Sequence, residues 1–161
     1  MTPGSWEHTF LVMGVPEPQG SARGFRGRGR RVIITSDNKD LPAWRQAVRY
    51  EAQRYVEHNG LTIYDRKHYA LALALEFNFV KPVSAPKNLT RHNKRPDLDK
   101  LVRAVGDALT GVIMEDDSMV DELVVQKRYG DRPGVKVAFS AALIKQPKSG
   151  ETDGNERRHG R

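Results

Sequence analysis

The chain has 161 residues, 38% of them hydrophobic, with no cysteine and with 27 Lys plus Arg against 20 Asp plus Glu, a net charge of +7. That length accommodates one domain with a sizeable core and is tight for two, and the charge points to a polyanionic partner, phosphate backbones first. Disulfides, thiolate catalysis and Cys-ligated zinc are excluded; no apolar run is long enough for a bilayer, and Met1-Thr2-Pro3-Gly4-Ser5 lacks the basic stretch and apolar core of a signal peptide, so a cytoplasmic protein without a membrane partner is expected.

Trp6 to Val15 reads as a first strand with Phe10 and Val12 on one face, closed by the turn-forming Pro16-Glu17-Pro18-Gln19-Gly20. From Gly20 to Arg31 the chain holds Arg23, Arg26, Arg28, Arg30 and Arg31 with no acidic residue, a flexible cationic loop. Val32-Ile33-Ile34 can return as a strand, making a hairpin whose tip carries the arginines. Asp40 is placed to cap a helix with Pro42 in its first turn. Leu41, Trp44, Val48, Ala52 and Tyr55 or Val56 recur at helical steps until Gly60.

Tyr69 to Val80 is the clearest strand, because Tyr69, Leu71, Leu73, Leu75, Phe77 and Phe79 alternate with smaller or polar residues. The alanines among the latter imply that the second face is covered too. After a polar, basic connector to Arg95, the spacing of Leu101, Val102, Val105, Ala108 and Leu109 predicts a helix from about Asp99 to Leu109, stopped by Gly111. Leu123 to Tyr129 and Val135 to Ile144 read as strands joined through Gly130-Asp131-Arg132-Pro133-Gly134 as an antiparallel hairpin. Residues 145–161 are polar and aperiodic, so a domain over 1–144 with a disordered tail is expected. The fold class is α+β, with a mixed, mostly antiparallel sheet and two principal helices.

The candidate chemistry lies in Lys94-Arg95-Pro96-Asp97-Leu98-Asp99 and Met114-Glu115-Asp116-Asp117-Ser118. Two-metal phosphodiester cleavage needs carboxylate oxygens converging on ions about 4 Å apart, and magnesium favours such hard ligands. Pro96 pushes Arg95 out of helical angles; in extended chain Asp97 and Asp99 face one site, whereas in a helix they diverge by roughly 200°. The following helix then starts at the site, where its free amides favour a phosphate. A third ligand from Asp116 or Asp117 requires the loop after the helix to return near its start. The plainer alternative makes Asp97 or Asp99 an N-cap and Glu115-Asp116-Asp117 a solvated turn. Against it stands the clustering of acids between basic residues, since grouped carboxylates repel unless a cation binds them.

Arg95-Pro96-Asp97-Leu98-Asp99-Lys100-Leu101, Asp107-Ala108-Leu109, Glu115-Asp116-Asp117 before a strand, Val15-Pro16-Glu17-Pro18-Gln19-Gly20-Ser21 and Trp44-Arg45 together resemble the RusA family of Holliday junction resolvases, over most of the chain to about Leu143. The resemblance implies a homodimeric enzyme dependent on Mg2+, with Mn2+ as a substitute, that nicks four-way DNA junctions symmetrically in recombination and repair, in a bacterium or a phage-infected cell. Its essential carboxylates would map onto Asp97, Asp99 and Asp117, with Asp116 as a neighbour. The family's helix lysine corresponds to Arg103, which can hold a phosphate but not donate a proton; Lys100 is near enough to share the role. Arg103 also stands four residues from both Asp99 and Asp107, the spacing of a surface ion pair.

Lys94, Arg95 and the arginines from Arg23 to Arg31 are expected to hold DNA phosphates, giving affinity without sequence information, and Phe25 is a candidate for stacking on an exposed base. A non-catalytic DNA-binding module and a nuclease preferring flaps, forks or replication intermediates are the alternatives. His92-Asn93 resembles a fragment of His-Asn-His nucleases, but no histidine follows until His159; His8, His58 and His68 lack metal-ligand spacing. No phosphate-binding Gly-x-x-x-x-Gly-Lys loop is present, so no nucleotide cofactor is expected, and Asp97 to Asp107 lacks the central glycine of a calcium loop.

Overall fold

The computed structural model describes residues 6–20, 22–26, 32–36 and 38–145. Their elements run β1 (His8–Met13), β2 (Ala22–Arg26), β3 (Val32–Ser36), α1 (Leu41–His58), β4 (Tyr69–Val80), α2 (Leu98–Leu109), a 3-10 turn η1 (Asp117–Met119), β5 (Val120–Gly130) and β6 (Gly134–Leu143). The class is α+β: a four-stranded sheet of order β1-β6-β4-β5 and a separate β2-β3 ribbon. The β1–β6 and β6–β4 pairs are antiparallel and β4–β5 is parallel.

Apart from β2, which falls in a stretch read as a loop, the elements arise where the periodicity places them, but the pairing of the late strands differs. β5 and β6 were expected to form a hairpin; instead β4 lies between them, in register with β5 on one side (Leu75↔Val125) and β6 on the other (Leu75↔Val137). Strand β4 has apolar or small side chains on both faces, and such a strand is stable in the middle of a sheet rather than at an edge. Parallel pairing of β4 with β5 also demands a crossover, which α2 provides.

Both helices pack on one core. From the sheet come Phe10, Val12, Leu71, Leu73, Leu75, Phe77, Val135, Val137 and Phe139; from α1 come Trp44, Val48 and Ala52; from α2 come Leu101, Ala104, Val105, Ala108 and Leu109. The other sheet face receives no described helix, contrary to the expectation from its alanines. Ala74 and its cross-strand partner Ala138 are nonetheless buried, enclosed by their neighbours within the sheet, and a Glu76, Gln126 and Arg128 network lies on that side.

Helix ends are set by local chemistry. α1 closes in a Schellman arrangement: Gly60 adopts φ 62°, its amide donates to Glu57 O, and the Leu61 amide donates to Val56 O. At the start Asp40 occupies the N-cap position, yet its side chain makes no capping bond. Val32–Ser36 returns as a strand as expected, but its partner is Ala22–Arg26, which the sequence placed in the flexible loop; Arg23 and Arg26 therefore lie on strand β2 and not at a loop tip, while Arg28, Arg30 and Arg31 lie outside the described residues, as does the polar tail from 146 onward.

Gly134 permits the β1–β6 contact, because a Cβ there would stand 2.4 Å from the Val12 carbonyl oxygen. The obstacle is backbone and cannot swing aside. Gly134→Ala is expected to destabilise the protein by about 2 kcal/mol, read as a lower urea midpoint with unchanged slope.

Candidate active site

The connector before α2 is fixed at several points. Lys127 of β5 donates from Nζ to Lys94 O at 2.7 Å and to Pro96 O at 2.8 Å. His92 lies against Phe79 (ring centroids 4.7 Å apart) and Tyr129 (4.8 Å), which are register partners across β4–β5. The Arg95–Pro96 bond is cis. From the other side, the Gln19 amide donates to Lys100 O at 2.9 Å, so the Pro-Glu-Pro-Gln turn sits on the first turn of α2. Arg45 of α1 hydrogen-bonds both the Gln19 side chain and the Asp107 carboxylate, tying turn, α1 and α2 together. A cleft of about 760 Å³ opens between Val15–Gly20 and Arg95–Lys100, with Phe79 and Asp97 in its lining.

Asp97 is the N-cap residue of α2, in an extended conformation (φ −69°, ψ 137°), and its side chain makes no capping bond. Asp99 already belongs to the helix, one residue after Leu98. The two carboxylates are thus a cap position and a first-turn position, not alternate residues of an extended chain, because Leu98 docks against the core and starts the helix early. Both are exposed, with Lys94 and Arg95 exposed beside them. The helix dipole stabilises negative charge there. Lys100 approaches Asp97 at 3.7 Å. Arg103 is exposed and makes no ion pair with Asp99 or Asp107 among the described residues; Arg45 takes Asp107 instead.

Asp116 and Asp117 prove unequal. Asp116 caps η1, accepting from the Ser118 amide at 2.9 Å; hydrogen bonds from Ser118 hold its carboxyl below the usual range, and Arg66 adds to the effect. That fits the turn reading for Asp116. Asp117 is exposed, on the first residue of η1.

Within one chain the loop after α2 does not return to the helix start. Lys127, which holds the turn before Asp97, is level with Phe77, whereas Val120, just past η1, is level with Leu71. Six strand steps separate these levels, about 20 Å at ~3.3 Å each. The third carboxylate therefore stands at the far end of α2 from the first two, and among the described residues no group of three His, Asp or Glu side chains gathers closely enough to hold a metal ion. The donors suit a hard divalent cation chemically; the convergence is not present in a single copy.

Two contributors went unrecognised in the sequence. Lys127 stands in a predicted strand with no motif around it, and His92 has no histidine partner in the sequence to mark it. His92 keeps its Nδ1 buried without a hydrogen bond, and burial, followed by the charge of Lys127, lowers its pKa from 6.5. Only Phe79 and Tyr129, each aromatic near the end of a strand, offer a hint of a stacking partner in the sequence. The remaining described histidines are accounted for by structure at two positions, His8 on Phe139 and His68 with Asp65.

A basic α+β domain that presents carboxylates and exposed cations together at a helix N terminus has the surface chemistry of a phosphodiester-handling protein. The profile of the family described as Endodeoxyribonuclease RusA matches residues 14–140, and the chain belongs to that family of nucleases. It is similar to the uncharacterized protein YqaN of Bacillus subtilis (strain 168), with 32% identity over 132 residues, covering 80% of this chain and 92% of the relative. Among the described residues no helix is long and apolar enough to cross a membrane.

The lowered His92 pKa has a consequence for stability. The unfolded chain binds a proton near pH 6.5 and the folded one only at lower pH, so stability is full above 6.5 and declines as pH falls through that value, until the folded group also titrates. Melting temperatures between pH 8 and pH 5 should fall less steeply for His92→Phe than for the parent protein.

Proposed function

We propose that this chain is a Mg2+-dependent, structure-selective endonuclease that resolves four-way DNA junctions by paired symmetric nicks, with Mn2+ able to substitute, and that it works as a homodimer. The observation carrying this reading is the family match, which spans the exposed Asp97/Asp99 pair, the basic connector and Asp117 in one stretch.

The separation of the carboxylates along α2 supports the dimer independently of symmetry arguments. A site using Asp97, Asp99 and Asp117 takes the first two from one copy and the third from a second copy. A two-fold pair of chains then has two such sites, matching the two equivalent strands of a junction. Divalent cations in such a site would supply an activated water and neutralise charge on the leaving oxygen. The chain's own residues orient the substrate: Lys94, Arg95 and the arginines of the β2-β3 ribbon hold phosphates, and the first-turn amides of α2 donate to a phosphate oxygen. Arg103, four residues beyond Asp99, offsets developing charge, with Lys100 beside Asp97 sharing that role.

Asp97→Asn, Asp99→Asn and Asp117→Asn should each lower junction cleavage by more than the roughly 10–100-fold typical of outer-shell changes, while gel-shift binding to a four-way junction is kept or tightened. Normal cutting by any of them in magnesium would remove that residue from the site. Comparing four-way junctions with flaps and forks tests substrate choice, and binding without nicks under every metal would favour a DNA-binding module instead.

Mixing the inactive Asp97→Asn and Asp117→Asn proteins tests the shared site. In the mixed dimer one site collects both substitutions and the other collects none, so single nicks should reappear. If each chain completed its own site, the mixture would stay inactive.

A further inference from the structure

The ammonium of Lys127 is directed at backbone, not at another charge. Its two acceptors, Lys94 O and Pro96 O, belong to the turn that leads into Asp97, and both distances, 2.7 and 2.8 Å, are those of strong charge-assisted hydrogen bonds. Lys127 is half-buried and level with the fully buried Phe77, so its stem rises from the core-facing side of the sheet beneath the turn. Two residues further along β5, Tyr129 joins Phe79 in holding His92, two residues before Lys94 in the same connector. The connector is therefore fastened to the β4–β5 edge twice, by ring packing at His92 and by charge at the residue adjoining Asp97. A carbonyl pair bound to one ammonium fixes the direction of the intervening peptide planes. Asp97, next to the bound Pro96 carbonyl, has the extended conformation that leads the chain into α2.

We propose that Lys127 is a positioning residue of the nuclease centre: it sets the aim of Asp97 through the Lys94 and Pro96 carbonyls, without touching DNA. This rests on the endonuclease reading given above. Lys127→Met keeps the aliphatic stem and removes the donors; Lys127→Gln keeps an uncharged NH2 donor group and serves as the milder variant should the first fail to fold.

Three measurements on the full chain decide the matter. Hydrogen exchange in metal-free protein should speed up at the amides of residues 94–99 in Lys127→Met, with exchange in β4 and β6 unchanged. Gel-shift affinity for a four-way junction without metal should stay within about twofold. Single-turnover cleavage at saturating enzyme should drop about 100-fold, as expected when a reacting group is misplaced by about 1 Å, and Lys127→Gln should fall between the two. Unchanged exchange at 94–99, unchanged cleavage, or a loss of junction affinity as large as the loss of cleavage would each overturn the proposal, the last by making Lys127 a DNA contact. If the parent protein itself nicks no branched DNA, the nuclease reading falls and takes this proposal with it; if the parent nicks and the variant nicks equally well, the positioning claim alone falls.

Discussion

The parallel pairing of β4 with β5 governs the placement of everything chemical in this molecule. Two parallel neighbours cannot be joined by a tight turn, so the chain must travel back over the sheet, and the amphipathic α2 makes that return with its apolar stripe on the core. A crossover helix begins beyond the carboxyl ends of the strands it connects. In open α/β arrangements that rim is where ligands bind, because helix N termini and free strand-end groups meet there. Asp97 and Asp99 occupy this rim and η1 occupies the opposite one, so the spread of the carboxylates follows from the topology rather than from a local choice of side chain.

Electrostatics at the rim are arranged in layers. Lys127 lies beneath, bonded to backbone carbonyls, and Lys100 approaches Asp97 from within the helix. Arg45 lies to the side, occupied by Gln19 and Asp107. The cations facing solvent, Lys94, Arg95 and Arg103, remain directed outward. Charges engaged by the scaffold and charges left facing solvent are thus different residues, and the exposed acidic pair lies among them.

Much of the fold could be read from periodicity alone. The alternation from Tyr69 to Val80 coincides with β4, and Leu41, Trp44, Val48 and Ala52 are the buried positions of α1. What escaped were relations across distance. The loop between β5 and β6 has the turn residues of a hairpin, but strand order depends on β4 competing for both partners, and no short window contains that competition. Asp97 and Asp99 were recognised from their motif, whereas their geometry depended on Leu98 docking to the core. Lys127 carries no motif; its importance arises from two carbonyls more than thirty residues away, a contact visible only once the crossover is closed. Asp116 and Asp117 look alike in sequence and separate only when one of them caps a turn.

The late position of β6 gives the architecture a built-in order of assembly. This strand, the last of the described elements, is inserted between the first strand and the fourth, so a ribosome must finish it before the sheet is continuous. A chain truncated ahead of β6 leaves β1 without its ladder and exposes both flanking edges, which favours aggregation or proteolysis over an active fragment. Completion of the sheet, and with it the support of the rim that carries Asp97 and Asp99, therefore waits on the last of the described strands.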